Sequence, residues 1–201
     1  MRVFSYTTIA LLSIFSFGCD PKKDDLSQDE PQTADFSCIK LLDEQGQSMG
    51  LHGDCTSSED WGEIALNSRE QSYLNFSDTV SLVGTQASDI TFFGIAPCPV
   101  KIGGAMAVYC SSGGIPQPIK LKIAVVDESL DVVLQLAVRV NTHSGLLWQI
   151  DPNKFESGKY YRMYYRISTA ATPVLFEGYG NFLVCKTYID GVNTTIESDC
   201  L

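Results

Sequence analysis

The sequence has few histidines and none of the common catalytic or metal-binding motifs. Only two histidines occur among its 201 residues, and there is no Cys-x-x-Cys pair, so a zinc site is not expected. His52 stands near Asp54 and His143 beside Ser144, but sequence neighbours do not supply the geometry of a catalytic relay. The GxSxG, HExxH, Walker and EF-hand patterns are also missing. The sequence therefore predicts a non-enzyme that carries no metal and no cofactor.

Basic residues are also scarce. The chain has 14 Lys and Arg against 24 Asp and Glu, which gives a formal net charge of −10. Nucleic acid phosphates and anionic lipid headgroups both call for Lys and Arg. We therefore expect no nucleic acid partner and no broad electrostatic attachment to a membrane. Solubility and mutual repulsion explain such an acidic balance.

The first 18 residues have the pattern of a signal peptide. Arg2 is their only charge, residues 3–17 are uncharged, and Gly18 ends the segment. A positive start, an apolar run and a small residue at the junction are typical of secretory leaders. The run is shorter than the roughly 20 residues of a transmembrane helix, and a buried core helix is the alternative. We expect residues 1–18 to be removed on export.

Gly18-Cys19 resembles the cleavage junction of bacterial lipoproteins. In that family the cysteine becomes the new N-terminus and carries acyl chains. The resemblance implies that Cys19 is lipidated and holds the mature chain on a bacterial membrane, outside the cytoplasm. It does not select between the inner and the outer membrane. Ser16 and Phe17 depart from the usual pattern, and cleavage without a lipid is the alternative.

Six cysteines remain once Cys19 is set aside. An even number in an exported chain predicts up to three disulfides in an oxidising compartment. Six cysteines allow many pairings, and the sequence alone does not select one. We expect the pairing that closes the shortest loops, which is Cys38–Cys55, Cys98–Cys110 and Cys185–Cys200.

Residues 20–35 differ in composition from the rest of the chain. They contain two prolines, many charges and a single large apolar residue, Leu26. Such a segment cannot bury enough surface to offset its ordering entropy. We expect residues 19–35 to be an acylated cysteine and a flexible acidic linker. Residues 36–201 then form a single β-rich domain.

Alternating apolar residues predict strands through most of that domain. The clearest runs are residues 120–126 and 132–140, whose period is two, with a turn at DESLD between them. Only residues 64–74 have a helical pattern. Further strands are predicted at residues 36–42, 79–84, 90–95, 105–109, 146–150, 159–167 and 174–186. The sequence predicts a mainly β fold with little helix, an antiparallel sandwich or barrel stapled by disulfides.

Two glycines interrupt the last predicted strand. We interpret Gly178 and Gly180 as a β-bulge. Asp190-Gly191 predicts a hairpin turn further along.

Residues 120–167 resemble the immunoglobulin-like modules of bacterial surface proteins. The matching features are the IAVVDESLDVV hairpin, the LWQ triplet that contains Trp148, and the FESGKYY segment that leads into a strand. Such modules mostly serve as spacers or binding domains. The resemblance implies an immunoglobulin-like sandwich without catalytic chemistry.

One predicted strand carries a candidate binding face. Its alternation places Tyr160, Arg162, Tyr164 and Arg166 together on one side. Tyr and Arg are enriched in binding hot spots, and their flat groups also suit sugars. We expect this face to bind a protein or an envelope glycan. The alternatives are that a neighbouring segment covers it or that it only stabilises the sheet.

The preferred function is a non-catalytic, membrane-anchored lipoprotein of the bacterial cell envelope that binds its partner through a β-sheet face. Two other functions stay open. Glu59, Asp60 and Glu63 flank Trp61, and paired carboxylates beside an aromatic ring indicate glycan chemistry, hence an envelope hydrolase. The third possibility is a structural subunit of a larger envelope assembly.

Overall fold

A computed structural model describes residues 35–36, 38–53, 55, 61–186 and 200. The predicted signal peptide, Cys19, the linker up to residue 34 and the Asp190-Gly191 turn lie outside these residues and stay predictions. The described part contains ten strands and one short helix, which confirms a mainly β fold. The elements are β1 (Cys38–Leu42), β2 (Ser48–Gly53), α1 (Ser68–Tyr73), β3 (Phe92–Ala96), β4 (Val100–Lys101), β5 (Ala105–Ser111), β6 (Pro118–Val126), β7 (Val132–Asn141), β8 (Leu146–Gln149), β9 (Lys159–Ser168) and β10 (Phe176–Cys185).

Two sheets pack face to face as a sandwich. A five-stranded sheet has the order β4-β10-β9-β6-β7, and a three-stranded sheet has the order β3-β5-β8. All neighbours are antiparallel except β4 and β10, which are parallel. The rings of Phe93 on β3 and Tyr165 on β9 stack with centroids 3.8 Å apart. The core therefore lies between the sheets, as alternating strands with one apolar face require.

The β6–β7 hairpin forms as the sequence predicts. Leu121, Ile123 and Val125 are fully buried on the inner face of β6. The DESLD turn closes when Asp127 accepts backbone N–H bonds from Ser129 and Asp131. A side-chain period of two over nine residues is the period of a strand and excludes a helix, whose period is about 3.6.

Two of the three expected disulfides are present. Cys38 is bonded to Cys55, and Cys185 is bonded to Cys200. Cys38 lies at the start of β1, in a hairpin with β2 whose turn is held by the Asp43 carboxylate. Each bond closes a loop of similar length and stabilises the domain by about 3 kcal/mol in the chain-entropy model.

The prediction of a disulfide between Cys98 and Cys110 is wrong. Both side chains are buried, and they are not bonded to each other. The register of β3 and β5 pairs Cys110 with Phe93. Ala96, where β3 ends, is already three residues or about 10 Å further along the strand, and Cys98 lies beyond it, where it pairs with Leu42 of β1. That separation exceeds the reach of a disulfide. Burial raises the pKa of the Cys110 thiol to about 11.

The two glycines of β10 do not form a bulge. The pairing of β10 with β9 continues without a shift from Phe176 to Val184. Instead, the glycines make room on the inner face. A side chain at Gly180 would collide with the ring of Trp61, and one at Gly178 with the carbonyl of Gly62. The prediction of a bulge is therefore wrong. The strand needs glycine at these positions because other parts of the chain pack closely against it, and not because the strand bends there.

The predicted strand at residues 79–84 is also absent. This stretch belongs to a segment, residues 63–85, that crosses the outer face of the five-stranded sheet. Val80 and Leu82 are half-buried, so the alternation is real. The backbone turns locally instead, since Asp78 accepts the N–H of Val80 and Leu82 accepts the N–H of Thr85. The alternation of buried and exposed side chains therefore arises because this segment packs on top of a sheet, and not because it is a strand of that sheet.

The helix α1 belongs to the same covering segment. The side chain of Asn67 caps it by accepting the N–H groups of Arg69 and Glu70, and the Glu70 carboxylate accepts the N–H of Asn67, which is a complete capping box. The helix lies within residues 64–74, where the sequence predicts one, and begins four residues later than that range. The helix has six residues, so the part of the chain described by the structure contains no helix that could cross a bilayer.

Asp78 fastens the covering segment to the sheet. Its carboxylate lies 2.6 Å from Nζ of Lys120 and 3.0 Å from Nζ of Lys122. Lys122 also donates to the carbonyl of Phe76. The hydrogen bond from Lys120, with the second from Lys122, lowers the pKa of Asp78 from 3.8 to about 2.

This lowered pKa predicts an acid-dependent loss of stability. Because the folded pKa lies below the unfolded value, the contribution of Asp78 is complete above about pH 4 and disappears as the pH falls toward 2. At pH 7 we expect Asp78→Asn to lower the free energy of unfolding by about 1 kcal/mol. Urea titrations from pH 7 to pH 2 should show the gap between wild type and variant closing below pH 4. A gap that stays constant to pH 2 would contradict the assignment.

Candidate functional site

The predicted binding face of β9 is a covered face. Tyr161, Met163 and Tyr165 point into the core as expected, which leaves Tyr160, Arg162, Tyr164 and Arg166 on the outer side. That side is not open: Arg162 is 7% exposed and Tyr164 is 2% exposed. The predicted alternation of inward and outward side chains on β9 is confirmed. The expected exposure of Arg162 and Tyr164 is wrong, because segments distant in sequence lie over the strand.

Arg162 binds the start of the domain. Its guanidinium donates to the Asn181 side chain at 2.9 Å and to the Asp35 carbonyl at 2.6 Å. Asn181 donates to the same carbonyl at 2.9 Å. The guanidinium also lies over the rings of Tyr179, at 4.3 Å, and Phe36, at 5.6 Å. Arg162 therefore fixes the chain where it enters β1.

Tyr164 lies beneath the covering segment. Its ring stacks on Tyr73 of α1 at 5.2 Å and packs with the buried side chains of Leu66 and Leu74. Burial raises the pKa of Tyr164 to about 12. Arg166 forms an ion pair with Glu177 at 2.8 Å. These contacts favour the alternative in which neighbouring segments cover this face, since Arg162, Tyr164 and Arg166 already bind other parts of the chain.

The ring of Trp61, which the predicted glycan site would use, is buried. Trp61 is 6% exposed and stacks on Tyr165 and Phe93 inside the sandwich. A sugar cannot reach a ring in that position. Glu63 is exposed on the surface, while Glu59 and Asp60 lie outside the described residues.

The two histidines lie in different places. His52 is half-buried in β2 and not in a loop. His143 occupies a turn with φ of 66°, and its Nε2 lies 3.3 Å from Ser112 Oγ rather than against Ser144. Ser112 also bonds Thr142 at 2.9 Å, and both are buried. We interpret this cluster as structural, because its hydrogen bonds hold the end of β5 against the β7–β8 turn.

The described residues contain no group of three His, Cys, Asp or Glu side chains placed to hold a metal ion.

The outer face of the three-stranded sheet is the exposed apolar surface that sequence reasoning missed. Leu147 on β8 is 72% exposed and Phe92 on β3 is 52% exposed. Between them on β5 stand Ala105, Ala107 and Tyr109, which are exposed or half-exposed. We call these five residues the apolar sheet face.

The register brings these side chains together. Ala107 pairs with Ala96 of β3 on one side and with Leu147 on the other. Directly opposite residues of an antiparallel pair lie on the same face. The alanines form the floor of an open groove of about 370 Å³, with Tyr109 and Leu147 among its lining residues. Glu44 and Lys101 line it too and supply its charged side chains.

A signal for this surface was present in the sequence. In β5, Ala105, Ala107 and Tyr109 alternate with the buried Met106, Val108 and Cys110. A strand that is apolar on both faces predicts that its outer face is covered or docks something.

Comparison with models of known protein families and with curated protein sequences finds no match. The resemblances to lipoproteins and to immunoglobulin-like modules therefore stay predictions.

Proposed function

We propose that the chain is a non-catalytic lipoprotein of the bacterial cell envelope, anchored through Cys19, that binds a protein partner through the apolar sheet face. The main observation behind the binding role is the exposure of Leu147 beside an alanine-floored groove, together with the exposure of Phe92 on the same sheet face. Exposed apolar surface of this kind marks interaction sites in soluble domains. The pattern of residues 1–19 and the disulfides Cys38–Cys55 and Cys185–Cys200 support an extracytoplasmic location.

The groove suits a protein better than a glycan. Among its lining residues Tyr109 is the one aromatic ring, and the charged groups are Glu44 and Lys101. A glycan needs several polar side chains to pair with its hydroxyl groups, and unpaired polar groups cost free energy. Aliphatic and aromatic side chains of a protein segment need only an apolar floor. The lining therefore favours a partner that inserts apolar side chains between Tyr109 and Leu147.

Site-specific photo-crosslinking in the producing cells tests the proposal. A photoreactive phenylalanine analogue at Leu147 should give a discrete protein adduct in the membrane fraction. The matched control places the same analogue at Val83, which is exposed on the opposite side of the sandwich, and should give no such adduct. Ala107→Arg, which fills the groove, should abolish the adduct at Leu147.

Other outcomes would overturn the proposal. The same adducts from both positions, or an adduct that survives Ala107→Arg, would remove the binding role from this face. An adduct that carries sugar and no polypeptide would assign the face to a glycan. The Cys19→Ser chain controls for the anchor: it should leave the membrane fraction, and its retention there would contradict lipidation.

A further inference from the structure

The edge strand β7 has no strand paired with its outer edge in the part of the chain that the structure describes. It has ten residues and pairs only with β6 among the described strands. The opposite edge of the same sheet is the two-residue β4. Native proteins usually protect long edges with lysine, proline, bulges or covering segments. In β7 the one charge is Arg139, and the one irregularity is a bulge beside the hairpin turn.

The ladder with β6 shows which backbone groups point outward. Thr142 donates its N–H to the carbonyl of Gln117 at 2.8 Å, so those two residues form a hydrogen-bonded pair. Hydrogen-bonded and non-hydrogen-bonded pairs alternate along an antiparallel ladder. The N–H and C=O groups of Gln135, Ala137 and Arg139 therefore point away from β6, toward the open edge.

The inner side of β7 is incompletely covered as well. Leu134, Leu136, Val138 and Val140 pack against the core but are only partly buried. The three-stranded sheet is narrower than the sheet it faces, and β7 is the outermost strand of the wider sheet. An added strand at this edge would satisfy the backbone groups and cover the apolar side chains together.

We propose that β7 pairs with β7 of a second copy of the chain, antiparallel, across a two-fold axis at Ala137. The regular part of β7, residues 134–140, is symmetric about Ala137, since it lies between the bulge and the turn. In this register about six backbone hydrogen bonds form across the axis. The result is one continuous sheet shared by two sandwiches.

The side chains of β7 complement themselves in this register. Leu134 faces Val140 of the second copy, and Leu136 faces Val138, on the inner side. On the outer side Gln135 faces Arg139 of the second copy. Gln135 Nε2 already donates to the Tyr73 carbonyl and Arg139 Nη1 to the Val83 carbonyl. The amide oxygen of Gln135 and the other guanidinium N–H groups are left for each other.

Charge also favours a second copy over a foreign basic or acidic strand. Two chains of net charge −10 repel, yet the only charge that β7 brings to the interface is Arg139, which meets a neutral amide. The strand β7 is mostly apolar, and it can pair with β7 of a second copy without placing two like charges opposite each other. The dimer does not depend on the proposed function, because β7 lies in the other sheet from the apolar sheet face.

Sedimentation of the full mature chain in detergent tests the dimer. We expect a dimer whose dissociation constant rises about tenfold for Gln135→Lys and falls by a similar factor for Gln135→Glu, because each change faces Arg139 twice across the axis. Ala137→Pro removes an outward N–H that the β6 ladder does not use and should give a folded monomer by circular dichroism. Ala137→Ser keeps that N–H and should stay dimeric.

The charge variants keep the test decisive even if the proline variant fails to fold. A wild-type chain that is monomeric at tens of micromolar overturns the proposal. A dimer that is indifferent to both charge variants overturns it too, because the interface is then elsewhere. Pairing of this edge with a strand of another protein, with no self-association, would also reject the second copy.

Discussion

Gly180→Ala is expected to lower the free energy of unfolding by about 3 kcal/mol, which is a large fraction of the stability of a domain. The added Cβ would lie less than 3.0 Å from ring carbons of Trp61. Trp61 cannot move away freely, because its ring also stacks on Tyr165 and Phe93 in the core. Chemical denaturation followed by circular dichroism measures the loss.

A matched control isolates the collision from the general effect of replacing glycine. A Cβ at Gly114 would meet nothing within 4 Å, so Gly114→Ala should change the free energy of unfolding by less than about 0.5 kcal/mol. In the Gly180→Ala background, Trp61→Leu should destabilise far less than it does in the wild type, since it relieves the collision. Additive effects of the two changes would show that Trp61 does not occupy the space above Gly180.

Arg162→Ala is expected to cost about 3 kcal/mol of folding stability, because it removes two charge-assisted hydrogen bonds in a buried site. The carbonyl of Asp35 would retain only Asn181 of its two side-chain donors. The rings of Tyr179 and Phe36 would also lose the guanidinium between them. Arg69→Ala, on the exposed surface of α1, is the matched control and should be within about 0.5 kcal/mol of wild type.

A second measurement separates this role from a binding role. Without Arg162, the chain around Phe36 loses its main attachment, so chymotrypsin should cleave after Phe36 faster in Arg162→Ala than in wild type under native conditions. If Arg162 instead served an external partner, the variant would lose that partner while keeping its stability and its resistance at Phe36. That pattern would restore the ligand-binding interpretation of β9.

The strands predicted best were those with one strict apolar face. Residues 120–126 and 132–140 became β6 and β7 nearly to the residue, because a period of two fixes both the element and its buried side. The same alternation at residues 79–84 failed. Val80 and Leu82 bury their side chains on top of a sheet, and periodicity does not distinguish that from pairing within one.

The candidate sites were predicted less well than the strands. Tyr and Arg on one face of β9 are hot-spot residues only where solvent reaches them, and exposure depends on segments about 100 residues away. Arg162 is buried by the start of the domain and Tyr164 by α1. The apolar sheet face was missed because the exposure of β5 also depends on distant segments. The residues of β5 itself do not show whether another segment covers them.

The sequence by itself determined the mainly β fold, the short helix and the central hairpin, because each depends on residues near one another in the chain. Tertiary structure alone decided the rest. It separated Cys98 from Cys110 through the β3–β5 register, placed Gly62 and Trp61 above Gly178 and Gly180, and covered the outer face of β9. Among the described residues, it left the apolar sheet face and the β7 edge uncovered. These outcomes depend on which distant segments meet, and local pattern does not encode such contacts between surfaces.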